Sequence, residues 1–464
     1  MRRGLAWGWL VASAWLGTAR AELVYFAKGG QAQVEARVEG TTVRLRTPAG
    51  PKTFDRGDFL AIVPGHDPAA EWPRRREVAL RDGSASVLFE AFWWALENGL
   101  TEEAVALLRA GRPVVGGHAP ARRALAMIDA LDAPCPDADL EPVRRLLGRS
   151  RFAEIRGAHV VLLHQGDDAE ARERLEVLDR VASTFCLVLA AQGIEQPPPG
   201  RRLVSVYFAR QGDYVAFLRR AEADAFATTQ GYFHPNLGAV FAFDTRDGEG
   251  QAAPRRALAR RKAAGLDGSE VDRQALLLDL DWRAVDLGIA AHETIHQLTA
   301  TSGLAPSFDA FPLWLHEGFA AQFEVVRGGR WAGVGRAHDF RLADWRSIRP
   351  APRLAPLLRD SGFGHGYGRD VYAESWALVH FLRKTRPREF LTFLDLLRAP
   401  RPDNIAPNDR SVEAFHAAFG DDLAGLESAW RRHVATLETP LESARPINPD
   451  PSRETHLARP DPGP

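Results

Sequence analysis

The chain has 464 residues, with 59 basic against 60 acidic, 45% hydrophobic and 26% charged. This is the composition of a globular protein with room for two to four domains and a sizeable core. The balanced charge excludes a strong field toward nucleic acid or a membrane. The arginine runs at 74–76 and 255–261 lack interleaved aromatics and read as solvated surface.

The first 21 residues have the pattern of a cleaved export signal. Arg2 and Arg3 precede a short apolar stretch from Leu5 to Leu16, and Ala19-Arg20-Ala21 supplies small residues for cleavage before Glu22. The apolar run is too short to cross ~30 Å of hydrocarbon, and no later segment is long and apolar enough to span. A periplasmic or secreted location with no stable membrane insertion is the expectation. Cys135 and Cys186 are the two cysteines; one disulfide and two separate thiols are both open.

Residues 22–64 alternate like a small β module. Val34, Ala36 and Val38 share one face, Gly40 marks a turn, and Phe59 to Val63 forms a short strand. Residues 65–83, rich in proline and arginine, read as a linker. Residues 84–148 read as a helical hairpin spacer: "SVLFEAFWWALENGL" ends at Gly99, and Thr101, Glu102 and Glu103 open the next helix. This pair resembles a single tetratricopeptide unit, but no repeat at that period follows.

From residue 151 the pattern is mixed. Strands are expected in "AHVVLLHQ", "RLVSVYFA" and "LGAVFAFDT" (237–245), with a long helix from Asp168 to Leu189. Residues 246–275 read as an exposed polar loop. Helices are expected near 282–300, 312–326, 371–384, 387–398 and 411–436. The segment 439–464 is rich in proline and charge and reads as a disordered tail.

The chemistry lies in "AHETIHQ", residues 291–297. Residues four apart on a helix stand above one another, so His292 and His296 can offer two nitrogens to one cation. Glu293 lies about 100° round the helix, beside such an ion, where its carboxylate can take a proton from water. A third ligand is available in "FPLWLHEGFAAQFE", residues 311–324. Glu317 follows His296 by 21 residues, and Gly303 and Pro306 mark the loop between. Gly318 permits close backbone approach. His316 is the rival ligand; adjacent helical residues point about 100° apart, so one of the two faces the metal, and Glu317 is preferred. Thr299 and Ser302 stand where a His-x-x-Gly-x-x-His continuation would need other residues, which excludes that zinc class.

His292-Glu293-x-x-His296-Gln297 followed by Trp314-x-x-Glu317-Gly318-x-Ala320 resembles the gluzincin metallopeptidases. The nearest likeness is the peptidase-MA-like group, which includes bacterial domains of unknown function, over roughly residues 151–400. The resemblance implies an α+β fold with a zincin-type domain at 151–438, in which a small mixed sheet joins a helical subdomain. It implies Zn2+ on His292, His296 and Glu317, Glu293 as general base, and a peptide or protein substrate. It also implies an oxyanion donor after the glutamate helix: Tyr372 first, with Tyr367 and His365 behind it. Tyr372 and Trp376, one turn apart, are equally suited to core packing. By the same resemblance the strand at Gly238, Ala239, Val240 and Phe241 binds substrate by β-augmentation, unless it is internal. Glu324 and Glu374 are candidates to support a zinc histidine, or are surface residues. Two other functions fit the same residues: a zinc-stabilised envelope scaffold, and a zinc amidase acting on cell-wall crosslinks.

Overall fold

The computed structural model describes residues 22–27, 31–47, 50–63, 67–194, 196–265, 268–305, 307–327, 329–363, 369–399 and 407–443. Residues 1–21, where an export signal is expected, most of the expected tail, Pro306, His365 and Tyr367 lie outside the described residues.

The N-terminal segment is the expected β module. Its strands β1 (Glu22–Phe26), β2 (Gln31–Glu39), β3 (Thr42–Thr47), β4 (Gly50–Asp55) and β5 (Phe59–Val63) form one sheet in the order β4-β3-β2-β1-β5. Val24, Phe26, Ala36, Val43, Leu45, Phe54 and Phe59 close its core, and Val34 packs against it. Val38, expected on the same face, is 47% exposed at the end of β2.

The expected linker at 65–83 is instead a helix, α1 (Pro68–Asp82). Asp67 caps its start, Pro68 stands at its first position, and Gly83 ends it at φ 70°. Trp72 is buried and stacks on Trp94. Helices α2 (Ala85–Glu97), α3 (Thr101–Ala110), α4 (Ala119–Leu131) and α5 (Glu141–Leu147) follow. Ser84 caps α2 by accepting from the Val87 amide.

The central sheet has the order β6-β7-β8-β10-β9. It comprises β6 (Ala153–Arg156), β7 (Val160–His164), β8 (Leu203–Phe208), β9 (Gly231–His234) and β10 (Ala239–Phe243). Strands β7, β8 and β10 are parallel, and β6 and β9 run antiparallel at the two edges. The middle strands are continuous apolar runs because both faces are covered. Val204, Val206 and Phe208 point to the core that holds Phe217 of helix α7 (Gln211–Arg220). Leu203 and Tyr207 point to the core that holds α6 (Asp168–Gln192). That second core runs unbroken from α1–α4 through α6 into the C-terminal helices.

The expected loop at 246–275 is also corrected. It contains helix α8 (Glu249–Ala263) and the start of α9 (Gly268–Thr301). Its alanines and arginines are good helix formers, which outweigh Gly250 and Pro254. Helix α10 (Leu313–Ala320) is shorter than expected, and residues beyond it enter a two-strand ribbon of β11 (Val326–Arg327) and β12 (Arg330–Trp331). Then come α11 (Asp339–Ser347), α12 (Leu354–Leu358), α13 (Arg369–Thr385), α14 (Pro387–Arg398), α15 (Pro407–Phe419), α16 (Leu423–Ala435) and α17 (Pro440–Ser443). The single helix expected at 411–436 is two, divided at Gly420 with φ 84°. Among the described residues no helix is long and apolar enough to cross a membrane. Cys135 and Cys186 are separate thiols, the second fully buried.

Candidate metal centre

Helix α9 presents His292 and His296 on one face, as the spacing requires. Its seat is set by Gln297, whose amide donates to the Val204 carbonyl at 3.0 Å and the Gly238 carbonyl at 2.7 Å. The helix is thereby pinned to β8 and to the residue before β10. Helix α10 brings in Glu317. Its first turn is capped from a distance: the Asp360 carboxylate accepts from the Leu313 and Trp314 amides at 3.0 Å each. Gly318 lies against the backbone of α13, where a Cβ would stand 2.3 Å from the Ser375 carbonyl oxygen.

These elements converge His292, His296 and Glu317 into one cluster of three candidate ligands. His292 Nε2 lies 3.0 Å from His296 Nε2 and 3.1 Å from Glu317 Oε2, and His296 Nε2 lies 3.7 Å from the same oxygen. Ligands held tetrahedrally at about 2.0–2.2 Å from zinc stand roughly 3.3–3.6 Å apart, and each side of this triangle lies within a few tenths of an ångström of that range. The chemistry agrees with the geometry. His292 Nδ1 donates to Glu324 Oε2 at 3.0 Å, which leaves the Nε2 lone pair facing His296 and Glu317. Two imidazole lone pairs and a carboxylate aimed at one point repel one another unless a cation lies between them. A proton can take the cation's place: burial opposes charge on His292, but Glu317 and Glu324 outweigh it and hold its pKa up, to about 10, so Nε2 offers its lone pair to a metal only when the metal displaces that proton. Glu317 is likewise opposed by burial yet held far below the usual carboxylate range by His296 and His292.

Of the two glutamates that were candidates to support a ligand histidine, Glu324 is the one bonded to His292. Besides His292 it accepts from His338 Nε2 at 2.9 Å and Arg341 Nε at 2.7 Å. The His338 tautomer follows from its second role: Nδ1 accepts from the Phe340 and Arg341 amides as the cap of α11, so Nε2 carries the proton. His338 and Arg341 were not foreseen. They lie 14 and 17 residues from Glu324 and carry no spacing motif. Glu374 makes no hydrogen bond to a site histidine among the described residues.

Glu293 stands one residue from the first ligand and faces β9. Burial pushes its carboxyl up, while His296, His292 and the Phe233 amide favour its charged form. A Cβ on Gly231 would meet Glu293 Cγ at 2.8 Å, so the strand passes directly over this carboxylate. Strand β9 is the edge of the sheet, and its identity corrects an expectation. Ala239, Val240 and Phe241 belong to β10, which pairs with β8 on one side and β9 on the other. With Gly238 just before it, that strand has no free edge for β-augmentation. The free edge belongs to Gly231–His234. Tyr232 on this edge is pushed up in pKa by burial and by the charge of Glu293.

His316, the rival ligand, turns away from the cluster. It is buried with its ring 6.2 Å from that of His296 and 5.6 Å from that of Phe311. Tyr372 lies with its ring 4.9 Å from the Arg341 guanidinium, so it is linked to the centre through Arg341 and Glu324. Trp376 is fully buried against His338 and His380 and is a core residue.

No curated protein matches the chain. Residues 286–402, from the turn of α9 before the histidines to just beyond α14, match the family described as "Protein of unknown function (DUF1570)".

Proposed function

We propose that the chain is an exported zinc-dependent peptidase that hydrolyses peptide bonds at the centre formed by His292, His296 and Glu317. The observation that carries this reading is the placement of Glu293. It is a carboxylate beside the three-ligand cluster, outside the cluster, and directly under a free sheet edge. A purely structural site has no use for such a base, and it would call for a fourth protein ligand; among the described residues the cluster has three members.

Zinc held there supplies Lewis acidity and a water whose pKa falls to about 7. Glu293 takes the proton from the attacking water and passes it to the leaving nitrogen. Its carboxyl, raised by burial, is better matched to that exchange than an exposed glutamate. The edge of β9 offers amide and carbonyl groups to an extended substrate, which aligns the scissile bond over Glu293. Tyr372 is the proposed donor to the oxyanion. Glu324 keeps His292 in its ligating tautomer. Export rests on the signal pattern of residues 1–21.

The test pairs metal analysis with turnover. The purified protein should contain about one zinc, and Glu293→Gln should keep the metal while losing peptide hydrolysis. Full hydrolysis by that variant, or failure of the native chain to bind zinc, overturns the reading.

A further inference from the structure

A second cleft lies away from the metal centre, where four parts of the chain meet. The end of α2 contributes Glu97, the loop after β12 contributes Gly335 and Arg336, α13 contributes His380 and Lys384, and the C-terminal segment contributes His433 and Glu438. The cleft has a volume of about 540 Å³. Behind Gly335, Glu97, His380 and Lys384 an inner chamber of about 20 Å³ reaches Arg383 and Gln322.

The charges here do not balance. Arg327 pairs with Asp339, and Lys384 pairs with Glu97. Glu97 also accepts from the Trp93 indole at 2.9 Å. Arg336 and Arg383 have no carboxylate within ion-pair distance among the described residues. Arg383 is only 8% exposed, and its Nε has no hydrogen-bond partner. Burial, and for Arg336 the neighbouring Arg327, push both guanidinium groups down in pKa. His380 and His433, bonded to each other at 3.0 Å, are pushed down too, by burial and the surrounding cations. A buried guanidinium without a counter-charge is among the costliest groups to place in a protein.

The inner chamber is of a size for one water, which can accept from Arg383 Nε and donate to the equally unpartnered Gln322 Oε1. That satisfies the hydrogen bonds but leaves the charge. Glu438 also lines the cleft and accepts from the Ser443 hydroxyl, but it forms no ion pair with Arg336, Arg383 or Lys384.

We propose that this cleft binds a small oxyanion, a carboxylate or phosphate group, between Arg336, Arg383 and Lys384. Guanidinium forks match the paired oxygens of either group. Because the cleft joins the β module (through Val63), the helical spacer, the metal-bearing half and the C-terminal helices, the bound anion ties these parts together.

The test uses the full chain, with sodium phosphate and sodium acetate titrated against sodium chloride at constant ionic strength. Calorimetry should show saturable binding, and Tm should rise by about 2–4 °C at saturation. The tighter of the two arms identifies the phosphate or the carboxylate as the recognised group. Arg336→Gln, at the more open rim, and Arg383→Gln should each weaken binding at least about tenfold. No saturable response beyond that of chloride, or binding unchanged in a folded Arg336→Gln protein, overturns the proposal. An Arg383→Gln chain more stable than its parent, with the anion response intact, overturns it as well.

Discussion

Glu324 receives a hydrogen bond from His292 Nδ1 at 3.0 Å while its other oxygen holds His338 and Arg341. One carboxylate thus fixes the ring of a candidate ligand from α9 and anchors it to α11. Arg341 and His338 hold its pKa well below the ordinary value against the effect of burial, so it stays ionised through the acid range in which exposed glutamates titrate. Glu324→Ala removes the orienting acceptor and leaves three donors without it. Zinc affinity, read by competition with a chromogenic chelator, should fall about 10–100-fold. An unchanged affinity in a folded variant would show that His292 is oriented by packing alone.

Gly231 is the second position where a small change should reach the chemistry. A methyl there would stand 2.8 Å from Glu293 Cγ and 3.0 Å from Ile289 Cγ2. Either the strand lifts or the carboxylate turns. Gly231→Ala should therefore lower kcat for peptide hydrolysis by at least about tenfold, since a shift near 1 Å in a catalytic group is enough for that. Zinc content should not change, because neither histidine is touched. Loss of zinc together with activity would place the damage in the ligand cluster instead.

The ligand cluster was legible in the sequence because helical spacing carries it: His292 and His296 share a face by arithmetic, and Gly318 announces a tight approach beside Glu317. The supporting ring of His338, Arg341 and Glu324 had no such signal beyond the glutamate itself, since those residues meet only where the start of α11 returns to the segment after α10. Strand β9 was missed for a different reason. Gly231–His234 is four residues long, opens with glycine, and shows its role only through pairing with β10. The helices at 68–82 and 249–263 were hidden by internal Pro73 and Pro254 and by arginine runs, which on composition alone look like loop.

Gly318 also yields a stability prediction. Its Cα faces the backbone of α13, and an added Cβ would fall 2.3 Å from the Ser375 carbonyl oxygen and 2.7 Å from Val379 Cγ2. Backbone cannot move aside as a flexible side chain can, so α10 must shift. Gly318→Ala should destabilise the chain by about 1–3 kcal/mol in denaturant titration, in the range of other overpacked cores. Because Glu317 is the adjacent residue, zinc affinity should weaken in the same variant. Equal stability and affinity would mean that the α10–α13 contact is looser than these distances require.

Glu374 on α13 gives a pH signature that is separate from the metal. Burial, and then the charge of Asp370 one turn earlier, push its pKa up from 4.5 to about 7. The folded state therefore prefers the protonated carboxyl. Its favourable share of stability is full below pH 4.5, where both folded and unfolded chains are protonated, and is lost as pH rises through 7. Above that pH the folded chain carries an ionised, poorly solvated carboxylate. The shift would correspond to more, but the group keeps some solvent contact, so about 1–2 kcal/mol is the discounted expectation at pH 8. Glu374→Gln removes the ionisation and keeps the shape. The variant should match its parent in Tm at pH 4 and exceed it at pH 8, with the gap opening between pH 5 and 7. A gap that is constant across this range would mean that the glutamine acts through packing and that the carboxyl titrates alike in the folded and unfolded chains.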